Sequence, residues 1–300
     1  MSEKSIIVVQ GPTASGKTAL AIALAKQYQT EIISFDSRQF YKELAIGVAR
    51  PNAQELAQVK HHLIASQSVH EPLNANSFVQ HAQPILDKLM AEKGAAVLVG
   101  GSALFADALL LGLDPLPHDP VVQAKWQTVF ENHGLEALQV ALAQQDPAFY
   151  REIDTMNPTR LMRALEINEL TGQSNVALRK GPRKDPPHVA RLFINWPRAS
   201  LYERINLRVD QMLAEGLAQE AREFFPDGAQ LQALQTVGYR EFFDYFEGKT
   251  TQEEAIEKIK QHSRNYAKRQ LTWLARYAQI IALDPATDSE LLAAALVKIG

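Results

Sequence analysis

Between the apolar run Ile6-Ile7-Val8-Val9 and an alanine-rich helical pattern over Lys17 to Gln27, the chain carries Gly11-Pro12-Thr13-Ala14-Ser15-Gly16-Lys17-Thr18. Nothing else in the sequence limits the fold so strongly. The octet is the phosphate-binding loop pattern, with the required strand before it and helix after it. In such a loop the backbone N–H groups converge on phosphate oxygens, and the helix N-terminus adds a favourable dipole. Lys17 supplies a mobile positive charge, and the Thr18 hydroxyl suits coordination of Mg²⁺. Gly11, Pro12, Thr13, Ala14, Ser15, Gly16, Lys17 and Thr18 are therefore candidate ligand-holding residues. The loop specifies a phosphate chain with magnesium; it does not specify which molecule owns the phosphates.

The remaining pattern extends the same architecture. Ile32-Ile33-Ser34-Phe35 and Ala95-Ala96-Val97-Leu98-Val99 read as further strands that are apolar throughout, which indicates a parallel sheet covered on both faces. The expected fold is α/β: a P-loop-type parallel sheet covered by helices, with a small all-helical insertion and a helical C-terminal part. Two proline-rich stretches, residues 114–120 and 181–187, bracket a segment without strand signal. Inside it, residues 121–132, 135–145 and 158–170 carry helical spacing, the last framed by Asn157, Pro158 and Gly172. The predicted division is a core of residues 1–116 and 188–300 and a mobile helical insertion of residues 117–187. Arg191 to Trp196 predicts a strand returning to the sheet, and residues 280–283 form a late apolar run. With no cysteine in its 300 residues, the chain has no disulfide framework, cysteine zinc site or thiol chemistry. The first apolar run is too short for a secretory signal, and the longest apolar stretch is broken by Gly100-Gly101-Ser102 and Asp107. A cytoplasmic protein without a membrane span is expected, and nothing in the patterning requires a second copy, so a monomer is expected too.

Several residues stand out as chemistry. Asp36 falls at the carboxyl end of the second strand, where open parallel sheets bind ligands. It is a magnesium-supporting acid, a general base or a cap for the next turn, and the polar residues Ser37, Arg38, Gln39 and Tyr41 beside it favour a binding edge. Ser102 sits on a glycine turn after the third strand and reads equally as a turn serine. Arg160 and Arg163 share one helix face, alone no more than a salt-bridged surface. The net charge is −3, yet Arg179, Lys180, Arg183, Lys184, Arg191 and Arg198 cluster, as do Lys258, Lys260, Arg264, Lys268, Arg269 and Arg276; these are solvated faces or phosphate contacts. Two overlapping capping boxes, Thr250 with Glu253 and Thr251 with Glu254, start a helix on which Ile256, Ile259, Tyr266 and Trp273 read as core. His61-His62 has no partner at metal-ligand spacing and reads as packed or capping.

Taken with the loop, Asp36-Ser37-Arg38-Gln39-Phe40-Tyr41, Ile46-Gly47-Val48-Ala49-Arg50-Pro51, His61-His62-Leu63 and Val99-Gly100-Gly101-Ser102 resemble the tRNA dimethylallyltransferase (tRNA isopentenyltransferase) family. Arg160-Leu-Met-Arg163-Ala-Leu-Glu166, Val237-Gly238-Tyr239-Arg240-Glu241 and Ala267-Lys268-Arg269-Gln270-Leu-Thr-Trp273 continue the likeness in the family's order over nearly the whole length. The resemblance implies transfer of a five-carbon group from magnesium-bound dimethylallyl diphosphate to the exocyclic amine of the adenosine 3′ of the tRNA anticodon. It reassigns the loop to the prenyl diphosphate, makes Asp36 the base, gives Ser102 an orienting role and places Arg208 on the diphosphate. It also implies that Asp36, Ser37, Arg38, Gln39 and Ser102 line the pocket of a flipped-out adenine, and that Thr159, Arg160, Leu161, Met162 and Arg163 meet the tRNA. By the same resemblance the Lys260, Arg264 and Lys268 stripe reads as RNA backbone contact.

Val48, Arg50, Ala103, Phe105 and Gln123 depart from the family's usual residues; none of these departures touches the donor site. The alternatives are a P-loop nucleotide kinase or ATPase with Asp36 as its magnesium acid, and a non-catalytic RNA-binding module that uses nucleotide as a switch.

Overall fold

A computed structural model describes residues 5–71, 73–114, 116–178 and 185–299. Six strands form one sheet: β1 (Ser5–Gln10), β2 (Ile32–Ser34), β3 (His61–His62), β4 (Ala95–Gly100), β5 (Val189–Ile194) and β6 (Ile281–Leu283), in the order β3-β2-β4-β1-β5-β6. Every pairing is parallel, with Ile7 opposite Val97 and Val8 opposite Arg191. Side chains alternate across a strand, so an apolar run must find cover on both faces. Ile6, Val8, Ile33, Ala96 and Leu98 enter one core with Phe78, Phe105 and Phe242, while Ile7, Val9, Ile32, Val97 and Val99 enter another with Leu20, Leu24 and Leu291.

In the first part of the chain this cover comes from α1 (Lys17–Gln27), α3 (Ala75–Glu92) and α4 (Ala103–Leu111), while the short α2 (Ala53–Gln58) buries no residue. A second compact unit, Leu113–Lys184, follows, and residues Met1–Gly112 with Asp185–Gly300 form the first. Within the second unit lie α5 (Pro120–Gln145), α6 (Pro147–Tyr150), α7 (Pro158–Thr171) and α8 (Asn175–Leu178). Gly134, at φ 73°, breaks α5 where the sequence pattern separates two helical stretches. This unit closes its own core on Trp126, Leu138, Leu142, Phe149, Leu161 and Leu165. Asp146 ties its turns together, accepting from the Asn175 amide at 2.7 Å and the Ser174 hydroxyl at 2.8 Å. The chain then continues through α9 (Arg198–Glu215), α10 (Leu217–Glu223), α11 (Tyr239–Phe246), α12 (Gln252–Leu274) and α13 (Asp288–Ile299).

Several expectations need correction. Leu161 is fully buried in the second unit's core, so it cannot itself touch a tRNA; its spacing with Ala164 and Leu165 puts it on the helix face opposite solvent. Thr159 and Arg160 are exposed on the first turn of α7, whereas the Arg163 guanidinium is held by Glu166 at 2.6 Å and the Pro117 carbonyl at 2.8 Å. Arg191 is no surface cation. It lies in β5, 2 % exposed, clasped by Asp185 and Asp107. Arg179, Lys180, Arg183 and Lys184, from the same basic run, lie outside the described residues. Only Thr251 with Glu254 forms the capping box of α12; Thr250 Oγ1 is buried without a partner among the described residues, because one helix start has one N-cap. The His61-His62 strand at the sheet edge was not legible as such, and His62 there meets Glu31 at 2.6 Å. No helix among the described residues is long and apolar enough to cross a membrane.

Candidate phosphate and acceptor cleft

A cleft of about 960 Å³ opens at the carboxyl ends of the strands in the first unit. Residues 13–18 of the loop after β1 form its floor, and Asp36 to Gln39, after β2, form one wall. The loop turns into α1 through Gly16, whose φ of 93° lies in the left-handed region open to glycine. Its outer side is braced by α9. Arg204 Nε donates to the Ala14 carbonyl at 2.8 Å and stacks over the Trp196 ring, while Trp196 Nε1 donates to the Ser15 carbonyl at 2.9 Å. With those carbonyls drawn outward, the loop amides are left for a ligand. Neither Trp196 nor Arg204 carries a motif signal; only the fold reveals them.

Two half-buried cations, Lys17 and Arg208, meet over this floor, and neither forms an ion pair among the described residues. Lys17 donates to the Pro12 carbonyl at 2.6 Å. Burial pulls its ammonium down to about 8, with Asp36 drawing it up and Arg208 pushing it down further. Arg208, from α9, reaches the Ala49 carbonyl at 3.4 Å, and its Nε is buried with no partner among the described residues. Burial also holds the Arg208 guanidinium below its ordinary value, against the pull of Glu55, Glu215 and Asp36. A buried donor without an acceptor is costly, and here an anionic group placed on the loop would relieve both cations at once.

Asp36 is at once a cap and a cleft residue. Its Oδ1 accepts from the amides of Arg38 at 2.9 Å and Gln39 at 3.3 Å, and no hydrogen bond among the described residues reaches Oδ2. Gly100 makes this placement possible: a Cβ there would lie 2.6 Å from the Phe35 ring and 2.9 Å from the Asp36 nitrogen. The neighbours of Asp36 are fixed by their own contacts. Arg38 donates to the carbonyls of Gln232 and Ala233 at 2.8 and 3.0 Å, and Gln39 to the Ala49 carbonyl at 2.9 Å. The Ser102 hydroxyl donates to Ser37 Oγ at 3.0 Å and accepts from the Ser37 amide at 3.1 Å. It also meets the Tyr266 phenol, which burial and Asp36 push up to about 12. Ser102 therefore holds the wall in place from behind.

The wall opposite the loop rests on a carboxylate that sequence reasoning missed. Glu220 of α10 accepts from the amides of Ala45, Ile46 and Gly47, each at 2.9 Å, and from the Tyr239 hydroxyl at 2.5 Å. Its signal is long-range, since partners 173 to 175 residues away define it. Glu220→Ala should leave three loop amides and a phenol unsatisfied. A loss of about 3 kcal/mol is expected in chemical denaturation, with faster hydrogen exchange at Ala45, Ile46 and Gly47 than elsewhere in the unit. Unchanged exchange at those amides would show that the loop is held by something else.

The cleft face of α12 differs from the basic stripe read in the sequence. Lys260 is bonded to Asp210 at 2.7 Å and Arg264 to Asn206 at 2.6 Å, so both anchor α12 to α9. The residues of α12 that line the cleft are Ile259, His262, Ser263, Asn265, Tyr266, Arg269 and Gln270. Tyr266, expected in the core, is 44 % exposed there. Gln270 is buried and donates to the Gly101 carbonyl at 3.0 Å. Among the described residues, the acids lining the cleft are Asp36 and Glu55, set against Lys17, Arg38, Arg50, Arg204, Arg208, Arg240 and Arg269. Such a concave basic surface suits a polyanion at one end and a small phosphate compound at the other. Among the described residues no group of three or more His, Cys, Asp or Glu could hold a metal by itself.

The family model described as IPP transferase matches residues 39–277. The tRNA dimethylallyltransferase of Cytophaga hutchinsonii is 40% identical over 96% of this chain and 95% of its own. That of Flavobacterium johnsoniae is 42% identical over 95% of this chain and 94% of its own. Among solved structures, the tRNA isopentenylpyrophosphate transferase of Bacillus halodurans superposes with a TM-score of 0.73 at 33% identity, covering 99% of this chain and 97% of that one. The family match begins beyond the phosphate loop and Asp36, so those two signals add to it independently.

Proposed function

The chain belongs to the IPP transferase family, and from that membership we propose that it moves the dimethylallyl group of dimethylallyl diphosphate onto N6 of the adenosine 3′-adjacent to the anticodon of a tRNA, releasing diphosphate. One observation carries the reading beyond the likeness: Lys17 and Arg208, two half-buried cations, the second with its Nε buried and unpartnered among the described residues, face the same cleft as a strand-end carboxylate whose Oδ2 accepts no hydrogen bond among those residues.

The donor's diphosphate lies on the loop amides of residues 13–18, with Lys17 and Arg208 on its oxygens. As the allylic C–O bond breaks, its electron pair stays on the diphosphate, and these donors stabilise the growing charge. The adenine amine is a poor nucleophile, because its lone pair is delocalised into the ring. Asp36 Oδ2 accepts a hydrogen bond from that amine and takes its proton as the N–C bond forms. Oδ1 stays with the Arg38 and Gln39 amides, so the carboxylate cannot swing away. The Thr18 hydroxyl, beside the loop amides, would help to hold Mg²⁺, which when bound would neutralise leaving-group charge. Ser37, Arg38 and Gln39 frame the base, and Thr159 and Arg160 meet the tRNA from the mobile helical insertion. One copy supplies every residue the reading uses, which supports a monomer, and tRNA as acceptor agrees with a cytoplasmic enzyme.

The deciding experiment incubates the purified chain with tRNA, Mg²⁺ and dimethylallyl diphosphate. One five-carbon adduct on an anticodon-loop adenosine is expected by mass analysis. ATP-dependent phosphorylation, or thermal stabilisation by ATP and not by the prenyl donor, would favour the P-loop kinase instead.

Lys17 makes the donor site pH-dependent. Its free-state value of about 8 must rise when a diphosphate binds, so binding takes up a proton once the free ammonium is partly neutral. Donor affinity should be flat below pH 8 and fall above it, by up to about tenfold per pH unit. Calorimetry at pH 8.5 in buffers of different ionisation heat should report proton uptake; affinity that holds level to pH 10 would refute it. Lys17→Arg should flatten the profile.

A further inference from the structure

We infer that His262, held by the buried carboxylate of Glu241, is a phosphate-binding residue for the RNA strand that enters the cleft. The inference rests on the acceptor proposed above and adds a contact that the loop and Asp36 do not supply. His262 Nδ1 lies 2.6 Å from Glu241 Oε1. Since a carboxylate only accepts, Nδ1 carries the proton and the ring is turned so that Nε2 is the free edge. Glu241 is 3 % exposed, whereas His262 is 40 % exposed and lines the cleft. The carboxylate's other oxygen accepts from the Gly238 amide at 2.8 Å, so the start of α11 fixes the pair. With Nδ1 engaged by Glu241, Nε2 is the nitrogen turned to the cleft, and in the doubly protonated ring Nε2–H is the donor left for an anion.

The surroundings point to phosphate. From α11, Arg240 stands 3.9 Å from Glu241 and also lines the cleft. On its own helix Arg269 and Tyr266 share the cleft face. From α9, Asp210 is occupied by Lys260, Arg204 braces the phosphate loop at Ala14, and Arg208 reaches the Ala49 carbonyl. From α4, Asp107 is taken up by Trp273, Tyr277 and Arg191. Among the described residues, the carboxylate nearest this end of the cleft is Glu241, behind the histidine. Arg240, Arg269 and a protonated His262 offer positive charge as well as donors, which suits an anionic backbone phosphate better than a neutral ribose hydroxyl or base edge.

Histidine-selective NMR of the wild-type chain tests this, with His262→Gln to assign the resonance. Adding an anticodon stem–loop RNA should raise the His262 titration midpoint by about one pH unit, the equivalent of tenfold tighter RNA binding to the protonated form. An unmoved midpoint overturns the inference. In RNA binding measured by fluorescence, His262→Gln should lose about tenfold at pH 6 and little at pH 8, with the salt slope reduced by about one and donor affinity unchanged. An equal loss at both pH values would mean that His262 is only structural. Because both readouts are binding, a chain that passed them yet transferred no prenyl group would count for this contact and against the reaction.

Discussion

Asp36→Ala is expected to lower prenyl transfer by about 10²- to 10⁴-fold, the range of a lost general base, while dimethylallyl diphosphate binds nearly as before. The two oxygens of this carboxylate do different work, and the choice of variants can separate them. Alanine removes both the proton acceptor and the cap on the Arg38 and Gln39 amides. Asp36→Asn keeps the shape and the capping oxygen, yet it cannot take a proton from an amine. If proton removal dominates, the two variants fall together in single-turnover transfer, and asparagine retains its tRNA affinity. If capping dominates, asparagine is nearly active and alanine alone fails. A third outcome, equal loss of transfer and of donor affinity in both, would move Asp36 to the magnesium or the loop and away from the amine.

The parts of this cleft that were legible in the sequence are those built by neighbours along the chain. The loop needs only its own eight residues, a strand and a helix, and all three are contiguous. The helix frame at Asn157, Pro158 and Gly172 is local for the same reason, with the Asn157 side chain accepting from Arg160 N and Gly172 left-handed at φ 65°. What escaped was set by partners far away. Glu220 is an ordinary helical glutamate until α10 is laid beside residues 45–47. Arg191 looked like one more cation in a basic run because β5 had not yet placed it between Asp107 and Asp185. On α12 the periodicity was right and the rotation was wrong. Charge drew the eye to Lys260 and Arg264, which α9 neutralises, whereas the mixed face of His262, Tyr266 and Arg269 is the one left open to the cleft. A helical wheel gives faces, and only the packing says which face is spent.

Lys17→Met should produce the second large loss, about 10²- to 10³-fold in the transfer step and a further tenfold or so in donor affinity. The rate should suffer more than the binding, because the diphosphate gains negative charge as the C–O bond opens and the ammonium is worth most at that moment. Affinity for tRNA should stay unchanged. The same substitution should raise the melting temperature of the free protein. Burial holds the Lys17 ammonium at about 8, below its ordinary 10.5, so at neutral pH the folded chain bears the cost of a desolvated charge. A methionine of similar length fills that space without the charge. A lysine kept for the fold would behave the opposite way, with stability and activity lost together. Arg208→Gln should be weaker alone and far from additive with Lys17→Met, since the two cations face one anion and repel each other in its absence. Full additivity in the double variant would place them on different groups and break the donor site apart.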